Sequence, residues 1–184
     1  RIVEYAIGGD GPLVSMSGRN FIDTLGSSAP APGGGSVASL CGAMSTALSS
    51  MVGSLTHGKK GFEDSFQSHI NNGVRAQSLK DAFLDDIDHD TAAFNAIMDA
   101  MGLPKKTEAE KAIRRTAMTE ATKLAIRVPL RVLERAVEAI ECAEIAATGN
   151  PNARSDAGVA ALTAKAAAEH DEQQWQRRSG VVRF

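Results

Sequence analysis

An all-α fold, a multi-helical up-and-down bundle of long helices with short connections, is what this sequence predicts, and three observations carry it. Apolar residues recur at spacings of three and four over long stretches, which is the helical period. A stop, Gly102-Leu103-Pro104, and a start, Thr107 with Glu110, separate two such stretches. Strand signals are confined to the first seven residues, and aromatics make up 4% of the 184 residues. A chain of that length fits one domain with its own core.

Residues 1–19 read as a linker segment: an extended piece, Ile2 to Ile7, then a glycine-rich stretch through Gly18 that suits attachment to a preceding domain. A short helix is expected over Asn20 to Ser27. Pro32-Gly33-Gly34-Gly35-Ser36 then forms a turn, with Ser36 at the N-cap of a central helix that fades at His57-Gly58. Glycines let backbone N–H groups approach a ligand closely, with no Cβ in the way. A helix N-terminus favours an anion or carbonyl oxygen at that place. The turn therefore reads either as a ligand cradle or as a loop before a buried helix. It is neither a Walker loop nor a dinucleotide fingerprint.

No Lys, Arg, Asp or Glu occurs between Asp23 and Lys59. The run from Val37 to Leu55 is long enough to raise a membrane span. Ser39, Ser45, Thr46, Ser49, Ser50 and Ser54 make it too polar for one. Its small residues, among them Ala38, Gly42, Ala43 and Gly53, suit close packing in a bundle or a dimer seam.

A long amphipathic helix follows over Phe62 to Met101, with Gly73 as a possible bend. The capping box at Thr107 opens the next, which runs to about Ala147 with a kink at Pro129 and stops at Gly149-Asn150-Pro151. Ser155 caps a last helix over Asp156 to Ala168, leaving residues 169–184 as a divergent tail. The helical domain thus spans 20–168.

The net charge of −2 gives no global attraction to nucleic acid. Cys41 and Cys142 sit in apolar helical patterns and read as small buried hydrophobes in a reducing, cytoplasmic compartment. No signal peptide opens the chain, and Arg1 is not a start Met, so it reads as excised from something longer.

Five aspartates and His89 lie between Asp81 and Asp90, a density of poor helix formers that asks for a reason. At 100° per residue, Phe83, Ile87, Phe94 and Ile97 define an apolar stripe. Asp85 and His89 fall opposite it, and Asp86 and Asp88 at its flanks. Asp90 falls inside it. A carboxylate there is costly unless paired, neutral or facing a cavity. Burial raises its pKa and suits it to proton transfer near neutral pH. The plainer reading is a buried Asp satisfied by a backbone amide or an Arg from another helix. Asp86/Asp90 and Asp85/His89 are i, i+4 pairs, but they point in different directions and no second ligand cluster accompanies them, so no metal is expected.

Several motifs together resemble one family, the formimidoyltetrahydrofolate cyclodeaminases, including the deaminase half of the bifunctional formiminotransferase-cyclodeaminases. They are Ala31-Pro-Gly-Gly-Gly-Ser-Val-Ala38, Ser50-Met-Val-Gly53, Thr56-His-Gly-Lys-Lys60 and Asp88-His-Asp-Thr-Ala-Ala-Phe94, followed in order by Leu103-Pro-Lys105, Val128-Pro-Leu130, Gly149-Asn150 and Ser155-Asp156. Arg1-Ile-Val-Glu-Tyr5 is similar to the segment joining the transferase and deaminase halves.

The resemblance implies an all-helical dimer or higher homo-oligomer that converts 5-formimidoyltetrahydrofolate to 5,10-methenyltetrahydrofolate and ammonia in histidine degradation. No cofactor is implied beyond the folate substrate, and a formiminotransferase domain is a possible partner. The family's catalytic aspartate matches Asp90. Pro32, Gly33, Gly34, Gly35 and Ser36 would hold the pterin or formimidoyl end, in a ligand-sized hollow between Asp90 and the turn. Lys59 and Lys60 would meet the anionic glutamate tail, with Asp88, Arg154 and Asp156 as further contacts. Methenyltetrahydrofolate cyclohydrolase on the same scaffold is the neighbouring alternative. After about residue 168 the family's pattern is lost. The ending therefore reads as truncated or frameshifted, and it raises a third expectation: an impaired folate-binding or oligomerisation domain.

Overall fold

The computed structural model describes residues 11–180, so the extended piece expected at residues 2–7 lies outside the described residues. Among the described residues every regular element is helical. In chain order these are α1 (Gly18–Leu25), α2 (Gly34–Thr56), α3 (Phe66–Gly102), α4 (Glu108–Ala147) and α5 (Arg154–Ser179), with single 3₁₀ turns leading into α3 and α5.

Helices α2 to α5 form an up-and-down bundle. The first turn of α2 meets the middle of α3, where Ser36 Oγ donates to the Ile87 carbonyl at 2.9 Å. The last turns of α2 meet the start of α3, at Gly53 and His69. These contacts fix an antiparallel pair. Asn72 Nδ2 donates to the Cys142 carbonyl, and Arg178 donates to the Ala125 carbonyl, so α4 returns along α3 and α5 along α4.

Helix α2 is the most apolar element, with 18 residues averaging a hydropathy of 1.2, yet it lies inside the bundle against α3, α4 and α5. Its polar residues are short. Thr46, Ser49 and Thr56 are fully buried and turn their hydroxyls back onto carbonyls of their own helix, so no buried donor is left open at these three. The Phe83 ring fills the place where a side chain on Gly42 would stand. Around it, Val132, Ala136, Ala139, Cys142, Ala164 and Ala167 complete a core of small side chains that brings four backbones close.

Several boundaries differ from expectation. Helix α1 starts at Gly18, because Ser17 Oγ accepts from the Asn20 amide. Residues 11–16 are no free linker: Leu13 is buried with Phe21 and Ile87, and its turn is tied to α3. Gly33, not Ser36, is the N-cap of α2; Ser36 lies within the first turn because its hydroxyl bonds α3 rather than its own helix. Helix α3 passes Gly73 without interruption and begins at Phe66, after the 3₁₀ turn at Glu63–Ser65. The capping box of Thr107 and Glu110 is present, and Pro129 lies inside α4.

The largest correction is at the C-terminal end. Helix α5 begins at Arg154 with Ala153 as N-cap and continues to Ser179. Its inward stripe Ala157, Ala160, Ala164, Ala167 continues at the same spacing with Asp171, Gln174 and Arg178. Residues 169–179 are thus part of the bundle.

Candidate active site

The first turn of α2, the middle of α3, α4 near Arg131 and the end of α5 meet at one end of the bundle, and this is where the polar side chains gather. The Asp90 carboxyl lies flat against Gly35: a Cβ there would stand 2.3 Å from its Cγ. The His170 imidazole lies against Gly34 in the same way, 2.6 Å from a hypothetical Cβ. Two adjacent glycines are needed because two side chains from different helices occupy the space that side chains at 34 and 35 would fill.

Asp90 is half-buried. Burial pushes its carboxyl above the usual range, while Arg178, His170 and the Ser36 backbone N–H favour the charged form and pull it back. The anion at the α2 N-terminus is therefore this protein's own carboxylate. The hollow expected between Asp90 and the turn is filled by Asp90 and His170 themselves. Of the grooves on the surface, the one of about 670 Å³ between α2 and α3 is lined by Ser50, Ser54, His57, His69 and Gln77. Neither it nor those of about 420 and 470 Å³ along α3 and α4 reaches Asp90 or Gly33–Ser36.

Asp86 is the deeper carboxylate, with 0% of its side chain exposed. Phase placed it at the flank of the stripe, and the two guanidiniums that make its burial tolerable, Arg131 and Arg135 of α4, were not foreseen. It is fully engaged in this way, while Phe94, expected in the stripe, is exposed.

Asp88 is taken up by structure. Its two oxygens accept from the Leu13 and Val14 amides at 2.9 and 3.1 Å, and its carboxyl lies against Gly11. Ser36 is likewise committed, to Ile87 and, at 3.5 Å, Thr91. Lys59, Lys60, Arg154 and Asp156 stand at the opposite end of α2, about 35 Å away over its 23 residues. There Lys59 Nζ bonds Asn150 Oδ1, and Asn150 in turn bonds Thr56 and Leu55. Lys60 and Arg154 are exposed. One chain thus brings Gly33–Ser36 to Asp90 and keeps Lys59, Lys60, Arg154 and Asp156 apart from it.

The end of α5 supplies what the sequence reading left out: His170, Asp171 and Arg178. The usable signal was the three-and-four spacing from Ala157 through Arg178, which becomes polar at the level of Asp90.

A family profile described as formiminotransferase-cyclodeaminase matches residues 17–171, which takes in the glycine turn, Asp90 and Asp171. The chain belongs to this family. It is 46% identical over 149 residues to the methenyltetrahydrofolate cyclohydrolase of Methylorubrum extorquens, covering 80% of this chain and 72% of that one. It is 37% identical over 169 residues to the mouse formimidoyltransferase-cyclodeaminase, of whose length it spans 30%. The crystal structure of formiminotetrahydrofolate cyclodeaminase from Thermotoga maritima superposes with a TM-score of 0.77 at 28% identity, over 91% of this chain and 80% of that one. The family is one of folate-related cyclodeaminases and cyclohydrolases.

Proposed function

We propose that the chain closes the 5,10-methenyl bridge of tetrahydrofolate from the 5-formimidoyl form with release of ammonia, and that Asp90 moves the protons. N10 attacks the formimidoyl carbon, a tetrahedral intermediate forms, and its exocyclic nitrogen departs. With the formimidoyl group entering as its amidinium, N10 gives up one proton and the departing nitrogen takes one, so ammonia leaves and the methenyl bridge keeps the positive charge. A carboxyl that accepts the first and donates the second balances the step and returns to its starting state. The observation that carries this reading is the Asp90 carboxyl pressed on Gly35, with its pKa raised by burial toward the working range of a proton relay.

The 46% identity to a methenyltetrahydrofolate cyclohydrolase favours a second reading, in which water opens the same bridge and no ammonia is involved. Asp90 would then take a proton from the attacking water. Supplying 5-formimidoyl- and 5,10-methenyltetrahydrofolate in separate assays, and following methenyl absorbance and ammonia, distinguishes the two.

Neither reading needs a cofactor beyond the folate. Lys59, Lys60, Arg154 and Asp156 serve the same substrate only if its glutamate tail runs the length of α2 or a second copy presents them. We place the reaction in the cytoplasm, in a homo-oligomer, with a formiminotransferase domain as a potential partner.

A further inference from the structure

We propose that Asp171, on the inward stripe of α5, is a positioning residue for Asp90: an uncharged carboxyl whose ionisation closes the alkaline side of Asp90's working range. The proposal rests on the proton role of Asp90 given above.

The geometry carries it. Asp171 is 1% exposed, and its Oδ2 has no hydrogen-bond partner among the described residues. A buried ionised carboxylate without partners is costly. It follows His170, whose ring lies on Gly34, while Asp90 lies on the adjoining Gly35. The charges of Asp90 and Asp86 both act on the Asp171 carboxyl, so the three belong to one polar layer at the end of the bundle. The charges around Asp171 are few. Helix α3 brings Asp90 and Asp86. Helix α5 itself brings Arg178 and His170. Helix α4 brings Arg131 and Arg135, both engaged by Asp86. Helix α2 carries no Asp, Glu, Lys, Arg or His.

The balance of these groups leaves Asp171 protonated at neutral pH. Burial, then Asp90 and Asp86, push its pKa up to about 8 against the pull of Arg178. Asp90 has Arg178, His170 and the Ser36 backbone N–H to favour its charged form, so it is the carboxyl that ionises first. Two carboxyls held in one layer with separated pKa values divide the labour, one changing charge in the working range and one held neutral. Above about pH 8 the second ionises, places a like charge beside Asp90 and draws Arg178 toward itself.

The test has two arms. Carbon-13 titration of the aspartate carboxyls of the full chain should show one that stays protonated past neutral pH and is lost in Asp171→Asn. In Asp90→Asn its midpoint should fall toward the ordinary carboxylate range. An ordinary acidic midpoint for Asp171, or one indifferent to Asp90→Asn, overturns the proposal whether or not the chain turns over folate. In the second arm, turnover of the parent should fall at least threefold between pH 7.5 and 9, while Asp171→Asn, neutral at every pH, should hold its rate over that interval. Coincident pH profiles overturn the proposal; a chain that turns over neither folate overturns the reading of Asp90 and leaves the titration to decide this one.

Discussion

A methyl group at position 35 has nowhere to go. Gly35→Ala forces the Asp90 carboxyl away from the α2 N-terminus, so turnover should fall at least tenfold and stability by about 1–3 kcal/mol, read from urea unfolding. Asp86 depends on its partners in a different way. Arg135→Ala leaves a fully buried carboxylate with one guanidinium instead of two and should cost about 3 kcal/mol in the same measurement. Asp171 gives a pH signature. Its folded pKa, about 8, lies above the unfolded value, so the folded chain holds a proton that the unfolded chain has released between about pH 4 and pH 8. Stability from this group is therefore full below pH 4, falls as pH rises through that window by up to about 1.4 kcal/mol per unit, and levels off above pH 8. Asp171→Asn should flatten that slope, and unfolding curves taken from pH 5 to pH 8 check it.

Legibility differed from helix to helix for physical reasons. Helix α4 was readable because its start is encoded locally: Thr107 and Glu110 satisfy each other's backbone amides without help from elsewhere. Thr107→Ala should accordingly cost about 1 kcal/mol, measurable by thermal unfolding. The start of α2 was misread because Ser36 has the chemistry of an N-cap, and only the approach of Ile87 sends its hydroxyl across to α3. Asp90 was found by phase, since Ile87 and Phe94 flank it in sequence. Asp86, Arg131 and Arg135 were not, because a buried ion pair couples two helices whose relative rotation sequence spacing does not give. The expectation of a divergent tail from residue 169 rests on the family resemblance and not on helical spacing. The stripe of α5 nevertheless keeps helical spacing while changing from alanine to Asp171, Gln174 and Arg178, so the helix persists and turns polar where the other three helices are polar too.

At the scale of the molecule, α3 and α4 are longer than α2 and α5 and project past them as a hairpin. Phe94, Met98, Met101 and Ile113 are between 40% and 63% exposed along it, Ile70 and Val74 are exposed in the α2–α3 groove, and Met51 and Leu55 are exposed on α2. That much apolar surface on one chain, together with expected substrate contacts divided between two ends of α2, predicts self-association. Sedimentation at micromolar concentration should give a species larger than the monomer; a monomer at all concentrations would leave Lys59 and Lys60 with no route to Asp90 except along α2. The proton role of Asp90 is tested most directly by one comparison: methenyltetrahydrofolate formation from 5-formimidoyltetrahydrofolate by the full chain and by Asp90→Asn, with helicity and unfolding midpoint matched. The expected result is turnover by the parent and a loss of 10²- to 10⁴-fold in the variant, whereas equal rates in the two would contradict it.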